Sequence, residues 1–158
     1  MQLSHAIKRY LQYLKNIKNA SDYTLRNYGK ALNLLQEILG EEASLSDLDL
    51  AKMDDYRDKI FEKKTRDGEK ISRRTQNIYL VPIRSFLKFC HKRELDPNIM
   101  APEKIELIKI DPSDVSGLSG EELQRLRNWN PAKNPFINAR DRASVEMLFA
   151  TGLRISEL

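Results

Sequence analysis

The stretch from Ser72 to Leu95, SRRTQNIYLVPIRSFLKFCHKREL, decides the fold of this 158-residue chain. Ser72 belongs to the residue types that accept hydrogen bonds from the first turn of a helix, so it predicts an N-cap. We expect one helix from there to about Leu95, with Pro82 removing a backbone hydrogen bond and kinking it. Apolar side chains recur at three- and four-residue steps and predict one inward face. That face is expected to consist of Thr75, Ile78, Val81 or Pro82, Phe86 and Phe89.

Three more helices are predicted upstream of this stretch. The first ends before Asn19-Ala20-Ser21, and its predicted apolar face consists of Leu3, Ile7, Tyr10, Leu11, Leu14 and Ile17. The second begins after the N-cap Ser21 and stops at Gly40, and its face is Leu25, Tyr28, Leu32, Leu35 and Leu39. The third begins at Asp49, and its face is Leu50, Met53, Tyr56 and Ile60 with Phe61.

The segment 63–70 is predicted to be a polar turn around Asp67-Gly68. Asp-Gly also begins many β-hairpins, but only Ile71 follows before polar residues resume, so we reject a hairpin here. The chain is therefore expected to be all-α, with a four-helix domain over residues 1–95.

Downstream, residues 96–117 contain three prolines and no sustained period, which predicts a linker or a short extended strap. A second unit, 118–158, opens with a capping box formed by Ser119 and Glu122. After a loop at 130–137, a helix is expected over about 138–150, with Asn138 as its cap and Gly152 at its end. We expect Val145, Leu148 and Phe149 to be buried, and a further helix to begin at Leu153.

Charge is concentrated in one part of the sequence. Residues 63–93 carry ten Lys or Arg against two acidic residues, although the net charge of the whole chain is only +4. Such a basic surface predicts a polyanionic partner, and the alternative is a solvated, lysine-rich helical face.

Composition excludes several classes of protein. The chain is 41% hydrophobic and 32% charged, which is too apolar and too evenly charged for a disordered protein. The single Cys90 excludes an internal disulfide, and no Cys or His cluster suggests zinc. No stretch of about 18 apolar residues is present, so we expect no membrane partner. A cytoplasmic protein without a metal, cofactor or small-molecule substrate is the expectation.

The closing stretch Arg140–Leu158, RDRASVEMLFATGLRISEL, resembles the first catalytic box of tyrosine recombinases, the phage-integrase and Xer-type enzymes. Weaker similarities to the core-binding domain of that family lie in Thr24 with Tyr28, in Ser72-x-x-Thr75-x-Asn77 and in 83–86. The stretch 118–123 is similar to the start of its catalytic domain. The resemblance implies a SAM-like core-binding domain, a linker and the first helices of a catalytic domain.

By this resemblance, Arg154 binds the scissile phosphate, a role that suits a guanidinium with two parallel donors. The alternative is that Arg154 only pairs with Glu157. The family also requires downstream catalytic residues and a tyrosine nucleophile, and no tyrosine here follows Tyr79. We therefore expect a truncated recombinase that does not cleave DNA alone, and that would associate with other recombinase protomers if it were full length.

The expected partner is double-stranded DNA, within site-specific recombination or integration. Family resemblance places the second and fourth helices against DNA. The candidate DNA-binding residues are Thr24, Arg26, Asn27, Ser72, Arg73, Arg74, Thr75, Asn77, Arg84 and Lys88. The competing hypothesis is a helical protein-interaction module, without a nucleic-acid role, that docks through the apolar segment 148–158.

Overall fold

The computed structural model describes residues 1–110, 117–129 and 132–158. Within these residues the chain forms six α-helices and no β-strand, so the all-α prediction is confirmed. Four helices lie in the first part of the chain: α1 (Leu3–Asn16), α2 (Asp22–Leu39), α3 (Leu50–Phe61) and α4 (Arg73–Lys92). Two follow, α5 (Gly120–Arg127) and α6 (Pro135–Thr151). Short 3₁₀ turns lie at Leu45–Asp47 and Pro102–Lys104.

The helix starts follow the predicted caps. The side chains of Ser21, Asp49, Ser72 and Ser119 each accept a hydrogen bond from the backbone N–H three residues later. The Glu122 carboxylate in turn accepts a hydrogen bond from the backbone N–H of Ser119, which completes the predicted capping box. This bond is the largest cause that lowers the pKa of Glu122.

The chain divides into two compact units, Met1–Asp111 and Pro112–Leu158, here called the first and second units. The predicted domain end at residue 95 lies inside the first unit, because the segment after α4 packs on the helices. Ile99, Met100 and Ile105 join the same buried cluster as the residues of α1 to α4. Residues 111–116, the end of the predicted linker, lie outside the described residues.

Aromatic rings form the centre of the first unit. The Tyr10 ring of α1 lies 5.5 Å from that of Phe86 and 5.2 Å from that of Phe89, centroid to centroid. Its hydroxyl donates to Ser85 Oγ at 2.8 Å. The Tyr56 hydroxyl of α3 lies within hydrogen-bonding distance of the backbone oxygens of Ala31 and Tyr79. Desolvation raises the pKa of both phenols. The ring contacts and hydrogen bonds of Tyr10 and Tyr56 join α1, α3 and α4 in one core.

The predicted inward face of α4 is wrong in part. Phe86 and Phe89 are buried as expected, and of the alternatives Val81 and Pro82 it is Pro82 that is buried. Ile78 is exposed, as is Val81. The stripe that faces the core includes Gln76, Leu80, Ile83, Leu87 and Cys90. The helix is continuous across Pro82 and ends at Lys92, before the predicted Leu95.

Three other expected core residues are exposed. Ile17 is the C-cap of α1 and lies beyond its last turn, while Leu50 and Phe61 stand at the two ends of α3. End positions of a helix are covered only if a neighbouring element reaches them. The other predicted face residues of α3, Met53, Tyr56 and Ile60, are buried.

The segment 63–70 forms the predicted polar turn around Asp67-Gly68, closed by one backbone bridge. Lys64 and Lys70 form an isolated antiparallel bridge, and the backbone N–H of Ile71 donates to Lys63 O at 3.3 Å. Gly68 adopts a positive φ of 82° at the turn, as an Asp-Gly turn requires. A single bridge is not a pair of strands, so the rejection of a hairpin is confirmed.

In the second unit, α6 begins earlier than expected. Asn134 caps it by accepting from the Phe136 N–H, and Pro135 occupies its first turn. The predicted cap Asn138 lies inside the helix, where its amide binds the backbone N and O of Ala132. Gly152 ends α6 in the left-handed conformation, as expected.

The predicted burial in α6 is wrong. Phe149 is exposed and Val145 and Leu148 are only half-buried. The stretch from Leu153 forms a turn around 155–157, not a regular helix.

Candidate nucleic-acid interface

Helices α2 and α4 begin with the same local arrangement, Ser-x-x-Thr. Ser21 Oγ accepts from the Thr24 N–H at 3.3 Å and lies 3.0 Å from its hydroxyl oxygen. Ser72 Oγ accepts from the Thr75 N–H at 3.2 Å and lies 2.9 Å from the Thr75 hydroxyl oxygen. These four hydroxyls therefore shape two helix N-termini, whose partial positive charge favours an anion.

The two N-terminal halves border one groove of about 280 Å³. It brings together four of the predicted DNA-binding residues, which are Thr24 and Asn27 of α2 and Arg74 and Asn77 of α4. The remaining wall is apolar or aromatic and consists of Tyr23, Tyr28, Ile78, Val81, Pro82 and Ile110. The groove is thus apolar within and polar at its edges.

Residues 105–110, here called the strap, complete this groove. The Asn77 amide donates to Ile108 O and accepts from the Ile108 N–H, both at 2.9 Å. Arg57 Nη2 of α3 donates to Glu106 O at 3.0 Å. Asn77, which the sequence suggested for DNA contact, therefore holds the strap against α4.

The solvent-facing side of α4 carries a continuous stripe. Asn77, Val81, Arg84 and Lys88 follow one another at four-, three- and four-residue steps, so they lie on one face of the helix. Lys88 is exposed and Arg84 is half-buried, and the Arg84 Nε is buried without a hydrogen-bond partner among the described residues. The stripe can present charge to a ligand without disturbing the core.

The other predicted residues lie around the helix starts. Ser72, Arg73 and Arg74 are exposed at the start of α4, and Arg26 is exposed on α2. Lys63, in the turn before α4, places its ammonium 5.5 Å from the centroid of the Tyr79 ring. Sequence reasoning missed Ile78, Val81 and Ile110, because it assigned the first two to the core and the third to a linker.

Arg154 lies in the second unit, on the segment that follows α6. Its side chain is 83% exposed, with Nη1 3.5 Å from Glu157 Oε1. The backbone N–H of Arg154 donates to Glu157 Oε2 at 2.9 Å. Glu157 therefore contacts Arg154 mainly through the backbone, and the guanidinium stays open to solvent.

The described parts of the chain hold no group of three His, Cys, Asp or Glu side chains placed to bind a metal ion. None of their helices is long and apolar enough to cross a membrane. Cys90 is a buried free thiol.

Curated relatives of this chain are tyrosine recombinases. It is 32% identical to tyrosine recombinase XerC of Chlamydia trachomatis over 94% of its own length and 51% of that protein. It is 32% identical to XerC of Oceanobacillus iheyensis over 99% of its length and 49% of the relative. For XerC of Bacillus subtilis the identity is 31%, with 96% and 48% covered. The chain thus spans about half the length of these relatives.

No solved structure is a significant match to this chain. A family model, described as phage integrase, N-terminal SAM-like domain, matches residues 7–94. That range contains α1 to α4 almost completely, and it includes both helix starts at the groove. By this match the chain belongs to the phage integrase family with an N-terminal SAM-like domain.

Proposed function

We propose that this chain binds duplex DNA through the N-terminal halves of α2 and α4, as part of site-specific recombination of the tyrosine-recombinase type. The observation that carries the proposal is the convergence of Thr24, Asn27 and Arg74 on one groove between two helix N-termini, where Asn77 holds the strap. The family of residues 7–94 and the recombinase relatives support it.

The dimensions of α4 suit a helix that enters the major groove. From Arg74 to Lys88 the helix spans about 21 Å, with cationic residues at both ends of its solvent-facing side. Guanidinium and ammonium groups there would bind phosphates, which fixes the orientation of the helix without reading sequence. The helix N-termini add further donors for phosphate.

Salt dependence of binding tests this proposal. Fluorescence anisotropy with a labelled duplex from 50 to 200 mM salt should give a log–log slope of about −4 to −5, for about four to six phosphate contacts. A weak and flat response would contradict DNA binding by this chain.

Charge-removal variants test the location of the interface. The triple variant Arg73→Gln, Arg74→Gln, Arg84→Gln should weaken binding to all sequences and reduce the slope by about 3. The matched control removes the same charge from exposed positions on and after α1, with Lys8→Gln, Lys15→Gln and Lys18→Gln. Equal losses in the two triple variants would place the interface elsewhere.

We propose further that Arg154 binds the scissile phosphate of a DNA strand. Its guanidinium is exposed, and its 3.5 Å pair with Glu157 is of the surface type that contributes little energy. The test is strand cleavage by a chimera that continues this chain with the half of the Bacillus subtilis relative that it does not cover.

In this chimera, Arg154→Lys should lower the cleavage rate about 10²- to 10³-fold, because lysine cannot bind two phosphate oxygens in parallel. Duplex affinity should not change. Glu157→Gln is the control and should leave cleavage within a few-fold. An unchanged cleavage rate in Arg154→Lys would contradict phosphate binding and leave pairing with Glu157 as the role of Arg154.

A second candidate function is protein docking through the C-terminal apolar residues. Phe149 is 60% exposed, Ile155 83% and Leu158 50%, which is unusual for large apolar side chains. Phe149→Ser with Ile155→Ser should then abolish association in analytical ultracentrifugation while duplex binding is retained. A chain that sediments identically before and after the substitutions would contradict docking at this segment.

A further inference from the structure

The solvent-facing side of α4 has an apolar middle between its charged ends. Ile78 is 46% exposed and Val81 is 39% exposed, on the helix whose ends carry Arg74 and Lys88. Both side chains line the groove, together with Tyr23 of α2 and Ile110 of the strap. Neither is needed to fill the core, because Leu80, Ile83 and Leu87 do so from the other side of the helix.

Exposed β-branched residues in the middle of a DNA-facing helix gain binding free energy only against an apolar partner. In the major groove the feature that is both apolar and specific to one base is the C5-methyl group of thymine. The other edge atoms in that groove are hydrogen-bond donors and acceptors, which would lose water against Ile78 and Val81 without gaining a partner.

We propose that Ile78 and Val81 form an apolar contact with thymine methyl groups and thereby select duplexes with thymine opposite the middle of α4. This inference rests on the proposed DNA-binding function and adds a base preference to it. The charges near the groove favour DNA as the occupant over an apolar protein segment. Arg74 of its lining is exposed, as are Arg73 at the start of α4 and Arg26 on α2.

The groove also explains how the contact is held in position. Asn77 binds both polar backbone atoms of Ile108, so the strap keeps Ile110 at the groove. Pro82 also lines the groove, but it is buried and does not compete with Ile78 and Val81 for contact with a DNA base. Ile78 and Val81 are thus fixed on a rigid helix, which is the arrangement that base selection requires.

The experiment compares thymine with deoxyuridine, which differs only by the methyl group. Duplexes are first enriched from a random pool on the full chain at low salt. The best duplex is then made with dT or with dU at single positions, and both are measured by anisotropy. The wild-type chain should lose about fourfold in affinity for each contacted methyl group removed.

The variants Ile78→Ser and Val81→Ser should bind the dT duplex more weakly and should discriminate dT from dU less than the wild-type chain does. Leu50→Ser is the matched control, since Leu50 is equally exposed but lies at the start of α3. This control should keep both the affinity and the fourfold discrimination. Circular dichroism confirms that the helical content of each variant is unchanged.

The outcomes separate this inference from the proposed function. Equal affinity of the wild-type chain for dT and dU at every position would overturn the methyl contact and leave DNA binding intact. No duplex binding at any salt concentration would overturn both. Equal dT and dU affinities together with a changed oligomeric state in Ile78→Ser would assign the groove to a protein partner instead.

Discussion

The first unit and the second unit are each stabilised internally by a different kind of interaction. The first unit buries Tyr10, Tyr56 and Phe86 in a shared aromatic and aliphatic core. The second has no buried side chain among its described residues, and its helices meet through Arg127 of α5 and Glu146 of α6. Two nitrogens of Arg127 each lie 2.8 Å from a carboxylate oxygen of Glu146.

This difference bears on how each unit tolerates change. Burial of apolar area is the main favourable term in folding, whereas a half-exposed ion pair contributes little. We therefore expect stability to depend on substitutions in the first unit and to be nearly insensitive to those in the second.

Phe86→Ala should lower the free energy of unfolding of the first unit by about 3–5 kcal/mol, because it leaves a cavity between α1 and α4. Phe149→Ala removes the same ring from an exposed position of α6 and should cost less than about 1 kcal/mol. Urea unfolding followed by circular dichroism measures both. Similar losses in the two variants would mean that the second unit also depends on a packed core.

Asn77→Ala should release the strap from α4. It removes both hydrogen bonds to Ile108 and leaves the backbone groups of that residue unpaired, at a cost of about 1–3 kcal/mol. Hydrogen exchange of the Ile108 amide should accelerate accordingly. Asn33→Ala, at an exposed position of α2, is the control and should leave that amide protected. An Ile108 amide that stays protected in Asn77→Ala would show that Arg57 alone holds the strap.

Which features of the fold could be predicted from the sequence depends on how far apart in the chain the interacting residues lie. The caps at Ser21, Asp49, Ser72 and Ser119 were predicted correctly, since each connects residues three apart. The orientation of α4 was not, because the helix has apolar residues on two sides. Whether Ile78 or Leu80 turns inward is decided by α1, α2 and α3, which local periodicity does not include.

The candidate site shows the same limit. Thr24, Asn27, Arg74 and Asn77 were chosen by type and family resemblance, and their meeting at one groove depends on how α2 packs against α4. A strap was one of the two predictions for residues 96–117, but the residues that hold it were not predicted. Its contacts join residues 77 and 108, and a segment with prolines and no period gives no sign of them. For α6 a signal existed, since Asn134-Pro135 is a good helix start.

Alkaline pH should destabilise the first unit through Cys90. Burial raises the pKa of this thiol to about 12 from an ordinary value of 9.0. Well below pH 9 both the folded and unfolded chains keep the thiol protonated, so its contribution is complete there. As the pH rises towards 12, only the unfolded chain ionises, and the free energy of unfolding falls.

Between pH 8 and pH 9.5 this thiol should account for a loss of about 0.8 kcal/mol. Cys90→Ala should be less stable at pH 8 but should lack this part of the pH dependence. Tyr10 and Tyr56 also have raised pKa values, and their contribution is common to both chains. Parallel pH profiles for the wild-type chain and Cys90→Ala would contradict the burial of the thiol.

Glu146→Gln should have the smallest effect, because it removes only the charge that ties α6 to α5. The side chain of Arg127 is 34% exposed and that of Glu146 44%, so solvent screens the pair and its contribution should be about 0.2–1 kcal/mol. Amide exchange in α6 measures it at low salt and again at 1 M salt, where the screening length is about 3 Å. The increase in exchange should shrink at high salt.

Glu121→Gln is the control, since Glu121 pairs with Arg125 at 3.8 Å between two almost fully exposed side chains. It should leave α6 unaffected at either salt concentration. If Glu146→Gln instead destabilised α6 equally at low and high salt, the contact would act through packing. The Arg127 guanidinium lies 5.2 Å from the centroid of the Phe149 ring. In that case the Phe149 ring, and not the Glu146 carboxylate, would be the main contact of Arg127 with α6.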